Sequence, residues 1–181
     1  MKRLLILTLF VCIGLISRAQ DEKQNIIKLN PVGLLFGGAQ LGYERALGEK
    51  TSVVVAPTFG FFKTGGFKYT TYGLGAELRL YLSSEKAAPT GFYVSPGAAY
   101  FGGKAEMDDF SGGKTTTKIS GYSFKGVAGY QWVWDSGLSL ELNGGVQYFG
   151  LKFKDSDGVW GDAVAFKGIL PAVGFSVGYA F

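Results

Sequence analysis

Along most of this chain, bulky apolar residues and small or polar residues exchange places at every second position. The last stretch, Gly168 to Phe181, sets Ile169, Pro171, Val173, Phe175, Val177, Tyr179 and Phe181 on one parity and Leu170, Ala172, Gly174, Ser176, Gly178 and Ala180 on the other. Successive side chains of a strand point to opposite faces, so this period predicts one bulky apolar face and one small face. Seven further segments alternate similarly: Asn25 to Phe36, Ala39 to Leu47, Thr51 to Phe62, Thr71 to Leu82, Gly91 to Phe101, Lys118 to Trp134 and Gly137 to Phe149. No useful stretch after residue 19 repeats at the helical period. The expectation is an all-β fold, an eight-stranded antiparallel up-and-down transmembrane β-barrel.

The links between segments support that expectation. Gly48 to Lys50, Ser83 to Thr90 and Asp135-Ser136 are comparatively short, whereas 63–70, 102–117 and 150–165 are longer and more polar. An even strand number places both termini beside the short turns, and outer-membrane barrels have this asymmetry, with short periplasmic turns and long outer loops. The tight Gly37-Gly38 link is the exception, because it falls on the outer side.

Alternation by itself leaves the direction of the apolar face open, since soluble lipocalin-like barrels alternate with that face inward. Leu138, Leu140, Leu142, Val146 and Tyr148 oppose Ser139, Glu141, Asn143 and Gln147; Tyr72, Leu74, Ala76, Leu78 and Leu80 oppose Gly73, Gly75, Glu77, Arg79 and Tyr81. The polar face is poor in charge and rich in small residues, which suits a crowded lumen better than a solvated exterior. Aromatics also gather near segment ends, at Tyr43, Phe59, Phe61, Tyr72, Phe92, Tyr100, Tyr122, Trp132, Trp134, Tyr148, Tyr179 and Phe181, as interfacial girdles require. Parity then places Lys28, Glu44, Glu77, Arg79, Lys125 and Glu141 inward. Three cations and three anions in so narrow a lumen pair most simply into a plug; the alternative is a narrow path gated by the same pairs. Arg45, on the apolar parity, lies near a short turn from which it can snorkel.

The first nineteen residues, MKRLLILTLFVCIGLISRA, have two cations, an apolar run and small residues at Ser17 and Ala19. This predicts a signal peptide over 1–19 and a mature barrel domain over 20–181. Cys12, the chain's single cysteine, lies inside it after Val11, a poor context for acylation. Loss of Lys2, Arg3 and Arg18 lowers the formal charge from +4 to +1, so nothing points to nucleic acid. The 29 glycines, 15 Phe, 10 Tyr and 3 Trp suit bent strands that present rings at an interface.

The stretch Lys28 to Lys50, KLNPVGLLFGGAQLGYERALGEK, with Gly42-Tyr43-Glu44-Arg45 before its first short turn, resembles small outer-membrane barrels of the OmpA and OmpW type. It is most similar to an uncharacterised domain-of-unknown-function group of secreted barrels. That resemblance implies a location in the cell outer membrane, and the lipid bilayer and the barrel-insertion machinery as partners. The last stretch, Gly168 to Phe181, resembles the closing strand of bacterial outer-membrane barrels, which implies an insertion signal at Phe175, Tyr179 and Phe181. No peptidoglycan-binding domain is expected after Phe181.

Enzymatic chemistry based on histidine is excluded, because the chain has none. Asp108-Asp109 and the Asp155, Asp157, Asp162 group fall in expected loops; they are either solvated acids or a weak divalent-cation set. No cofactor is expected. The function expected is a structural or surface-interaction barrel, with the loops open to an extracellular ligand; the alternative is a narrow porin-like channel or a carrier of hydrophobic small molecules. The alternative predicts a continuous opening, or a lateral gap near Pro31, Pro57, Pro96 or Pro171, where proline removes a ladder hydrogen bond.

Overall fold

Neighbouring strands keep one constant register from end to end, and this carries the alternating faces around the whole wall. The computed structural model describes residues 23–35, 37–108, 114–155 and 164–181. The expected signal segment 1–19 lies outside these residues. Strands β1 (Asn25–Asn30), β2 (Gly38–Ala46), β3 (Thr51–Thr64), β4 (Phe67–Tyr81), β5 (Gly91–Asp108), β6 (Lys114–Val133), β7 (Leu138–Asp155) and β8 (Val164–Ala180) succeed one another antiparallel, and β8 returns to β1 to close an eight-stranded barrel.

Three expectations about segment ends are corrected. The first strand stops at Asn30 instead of running to Phe36, and a short helix α1 (Pro31–Leu35) follows. Pro31 has no N–H to give a ladder and its fixed φ suits a first helical position, while the Asn30 Oδ1 accepts from the Val32 N–H at 3.0 Å as a cap. Gly37-Gly38 is therefore not a hairpin turn; Gly37, at φ 73°, leads from α1 into β2.

The expected loop 63–70 is mostly strand. β3 and β4 pair up to Thr64 and Phe67, leaving Gly65 and Gly66 as a two-residue turn with φ of 48° and 84°. Positive φ at both central positions is what the tightest hairpin turn demands, and glycine adopts it without strain. A Cβ at Gly65 meets no atom within 4 Å, so Gly65→Ala isolates the backbone effect. It is expected to lower stability by about 1 kcal/mol, read as a shift in the urea midpoint of the folded protein.

The expected inserts 102–117 and 150–165 also contain strand, to Asp108 and from Lys114, and to Asp155 and from Val164. Their polarity suggests loops, yet the β-branched run Thr115–Thr117 lies in register with Met107–Ala105 on β5. Asp108 and Asp155 thus sit on strands, while Asp109, Asp157 and Asp162 lie outside the described residues. Phe61, Tyr72, Tyr100, Tyr122 and Tyr148 consequently stand part-way along strands that continue beyond them.

At the opposite end the turns stay short. The Trp134–Gly137 turn closes with Gly137 N–H donating to the Trp134 carbonyl at 2.9 Å, Gly137 having φ of 90°. The longer 82–90 link folds across the barrel mouth, where the Ala88 N–H donates to the Glu49 carbonyl at 2.7 Å. Ala88 joins Ala46, Tyr81, Tyr93 and Val127 in a buried cluster at this end.

Closure itself is brief. β1 and β8 pair only from Ile26 to Leu29 against Val177 to Ala180. Beyond that ladder β8 continues on β7 alone, because β1 has already ended at Asn30.

Candidate functional site

Inside the barrel, the short-turn half is filled by charge. Arg79 on β4 reaches three carboxylates, Glu44 at 3.1 Å, Glu77 at 3.2 Å and Glu141 at 2.9 Å. Lys28 on β1 pairs with Glu44 and Glu141, and Lys125 on β6 pairs with Glu77 at 2.7 Å. The six side chains form one connected set across five strands. Glu44 is fully buried and Arg79 is 2% exposed, so the network stands in a medium where an unpaired charge is costly.

The strand register explains why these residues meet. Glu44, Ser52, Glu77, Arg79 and Glu141 share the inward parity, and glycines leave room between them. A Cβ at Gly97 would lie 3.0 Å from Glu77 Cγ and 3.2 Å from Lys125 Cε. One at Gly129 would lie 2.7 Å from the Tyr93 hydroxyl. Small residues on the inward face are thus the space in which the long charged side chains lie.

Neutral groups complete the set, and sequence reading had passed over them. Tyr81 donates its hydroxyl to Glu44 at 2.7 Å, and Tyr93 donates to Glu141 while its ring lies 4.4 Å beneath the Arg79 guanidinium. Ser52 donates to Glu44, Asn143 to Glu141 at 2.9 Å, and Ser176 to Glu141 at 3.3 Å. Gln131, fully buried, accepts from Lys28 and from Arg79 through Oε1, and its Nε2 donates to Glu44 and to the Pro89 carbonyl. That last bond ties the 82–90 link to the charge network at the short-turn end. The signal was present in the inward parity of Tyr81, Tyr93 and Gln131, but uncharged residues draw no attention as partners.

Beyond the network, toward the long-strand end, lies a cavity of about 280 Å³ walled by Lys125, Asn143 and Gln147 and by Pro171–Ser176 of β8. Its wall includes Leu41 on the other side of the brief β1–β8 ladder. Of the four proline positions, Pro57 breaks the β2–β3 ladder and Pro96 the β4–β5 ladder, each for two residue pairs, while both keep their pairing with the strand on the other side; Pro31 and Pro171 flank the place where β8 is paired with β7 alone.

The outer face has the reverse character. Ile27, Leu41, Leu74, Leu78, Leu80, Phe124, Leu142, Val146, Val173 and Tyr179 are all exposed, Val173 at 87%. Past the aromatic ring of Phe61, Tyr72, Tyr100, Tyr122 and Tyr148, the pattern inverts on the same strands. Lys63, Lys104, Lys118, Lys152 and Lys154 now point outward and are exposed, while Tyr69, Phe101, Ile119, Leu151 and Phe153 take the inward parity and are half-buried. From Leu138 to Tyr148 on β7 the apolar band spans roughly 25 Å for a strand tilted by about 40°. Tyr179 and Phe181 are exposed and Phe175 is half-buried.

The family model described as "Protein of unknown function (DUF3575)" matches residues 5–158. No curated protein matches the chain. The translocator domain of autotransporter NalP from Neisseria meningitidis is similar in structure, with a TM-score of 0.44 and 12% identity, over 97% of this chain and 69% of that one. At that score the likeness carries no argument about role.

Proposed function

The chain belongs to the DUF3575 family of proteins of unknown function, and from that premise we propose that it is an integral outer-membrane β-barrel with a non-enzymatic, structural or surface-interaction role. The observation that carries this reading is the inversion of polarity along single strands. Below the aromatic ring apolar side chains face out and charges face in; above it lysines face out and aromatics turn inward. A wall in one solvent throughout has no reason to reverse, whereas a wall that passes from hydrocarbon into water does. The short turns then lie in the periplasm and the long strands project outside, with Phe175, Tyr179 and Phe181 serving as the insertion signal.

In this reading the network of Lys28, Glu44, Glu77, Arg79, Lys125 and Glu141 is a plug, closed beneath by Gln131 and the 82–90 link. The test is conductance. Protein purified from membranes and refolded in detergent is expected to migrate differently before and after boiling, and to give no unit current in planar bilayers. Reproducible channels altered by Arg79→Ala or Glu141→Ala would overturn the plug; a chain that stays soluble without detergent would overturn the membrane assignment.

A second reading, a carrier of hydrophobic small molecules, is favoured by the β8 edge beyond Val177 and by the cavity beside it. It predicts that a fluorescent alkyl probe binds the reconstituted protein and that Ala172→Trp, which fills the cavity, abolishes binding.

A further inference from the structure

The outward lysines form a register, not a scatter. Lys104 on β5 lies directly across from Lys118 on β6, and Lys118 directly across from Lys154 on β7. Lys63 faces Lys68 across the Gly65-Gly66 hairpin. On β8, Lys167 pairs with Gly150, two residues from Lys152 on β7. Like charges directly opposite on one face of a sheet repel, yet here they recur on consecutive strands.

Among the described residues, one carboxylate offsets them. Glu106 pairs with Lys68 at 3.4 Å and Lys104 at 3.3 Å. Lys63, Lys118, Lys152, Lys154 and Lys167 have no acidic partner among the described residues. A wall facing only water ordinarily intersperses both signs. Lys104, Lys118 and Lys154, opposed on three consecutive strands with Glu106 beside the first of them, are instead matched to an anion supplied from outside.

The position of the row says which anion. On β3 to β7 the lysines stand two to six residues beyond the aromatic ring on their own strands: Lys63 after Phe61, Lys68 before Tyr72, Lys104 after Tyr100, Lys118 before Tyr122, Lys152 and Lys154 after Tyr148. That is roughly 7–20 Å along the strand, and flexible lysine stems can swing their ammonium groups back toward the interface. Opposed Cβ atoms about 5 Å apart let two ammonium groups approach one phosphate.

We propose that this lysine row on β3 to β8 binds the phosphate groups of an outer-leaflet glycolipid headgroup, so that the barrel carries a collar of phosphorylated lipid. The inference rests on the membrane orientation proposed above. It assigns to the projecting strands a second task besides reaching beyond the bilayer: holding the lipid shell in place by charge.

The protein, extracted from membranes and reconstituted in phosphatidylcholine nanodiscs, is titrated with diphosphorylated lipid A and with its dephosphorylated form, and retained lipid is read by native mass spectrometry. The phosphorylated lipid is expected to be held preferentially. The Lys104→Gln/Lys118→Gln/Lys154→Gln variant is expected to bind it about tenfold to a hundredfold more weakly, whereas Lys50→Gln/Lys86→Gln, at the opposite end, leaves binding unchanged. Heat-modifiable migration certifies that each variant is folded, and Lys118→Gln alone serves if the triple variant is not. Undiminished binding by the lysine variants, equal retention of the dephosphorylated lipid, or displacement by inorganic phosphate, which marks a free-anion site, would each overturn the proposal. Release of the protein from membranes by an alkaline wash would instead overturn the orientation on which it rests, and so separates the two failures.

Discussion

Arg79→Met is expected to destabilise the barrel by about 3–5 kcal/mol, the cost of breaking a buried ionic set by removing one member. Among the described residues, Arg79 is the only cation that touches all three carboxylates. Without it, Lys28 and Lys125 are left to offset Glu44, Glu77 and Glu141, and one negative charge stays uncompensated in a buried site. Methionine keeps most of the volume, so lost packing contributes little. The companion variant Arg79→Met/Glu141→Gln restores charge balance, and most of the lost stability is expected to return. Such non-additivity marks residues that act as one unit. Urea unfolding in detergent, followed through the fluorescence of Trp132 and Trp134, reads both values. If the double variant were as unstable as the sum of its singles, the six charges would be separate pairs and not a network.

The second large effect is expected on the opposite face. Leu142 is 48% exposed on β7, and its cross-strand neighbours are Tyr130 and Phe175. It lies near the middle of the apolar band between Leu138 and Tyr148. On a wall in water, replacing an exposed leucine by arginine is nearly neutral, within about 0.5 kcal/mol. On a wall in hydrocarbon the same change costs about 2–4 kcal/mol at the bilayer midplane. Leu142→Arg therefore reports which solvent the outer face meets, while Lys152→Arg, on the same strand but beyond the aromatic ring, serves as the neutral comparison. Unfolding free energies measured in lipid vesicles supply the comparison. Indistinguishable values for the two variants would remove the outer face from the membrane.

Much of this molecule was legible in the alternation. That Glu44, Glu77, Arg79 and Glu141 share a face with small residues follows from counting by twos along three segments, because a strand's two faces are a local property of the backbone; that this face is the inner one follows from its poverty in charge. The apolar outer face of β7 was legible in the same way, in Leu138, Leu140, Leu142 and Val146. Eight strands in antiparallel succession followed from the number of such segments and the links between them.

Segment ends were harder to read. Thr115–Thr117 and Lys152–Lys154 look like loop because they are polar, and the clue to the contrary is non-local: each continues a ladder begun many residues away. Asn30-Pro31 could have been read as a stop, since proline withdraws a ladder donor and asparagine caps a helix; the apolar run Val32 to Phe36 masked it.

The sequence by itself determined the number of strands, the face each residue takes and the chemistry gathered on each face, because those depend on a period of two and on side-chain type. Only the tertiary structure decided who meets whom. Lys28 and Glu141 are 113 residues apart, and their meeting depends on the stagger at which the barrel closes, a quantity shared by all eight strands and written in none of them. Closure likewise left β8 with β7 alone beyond Val177. The register of neighbouring strands brought Gln131 to the Pro89 carbonyl and lined up Lys104, Lys118 and Lys154.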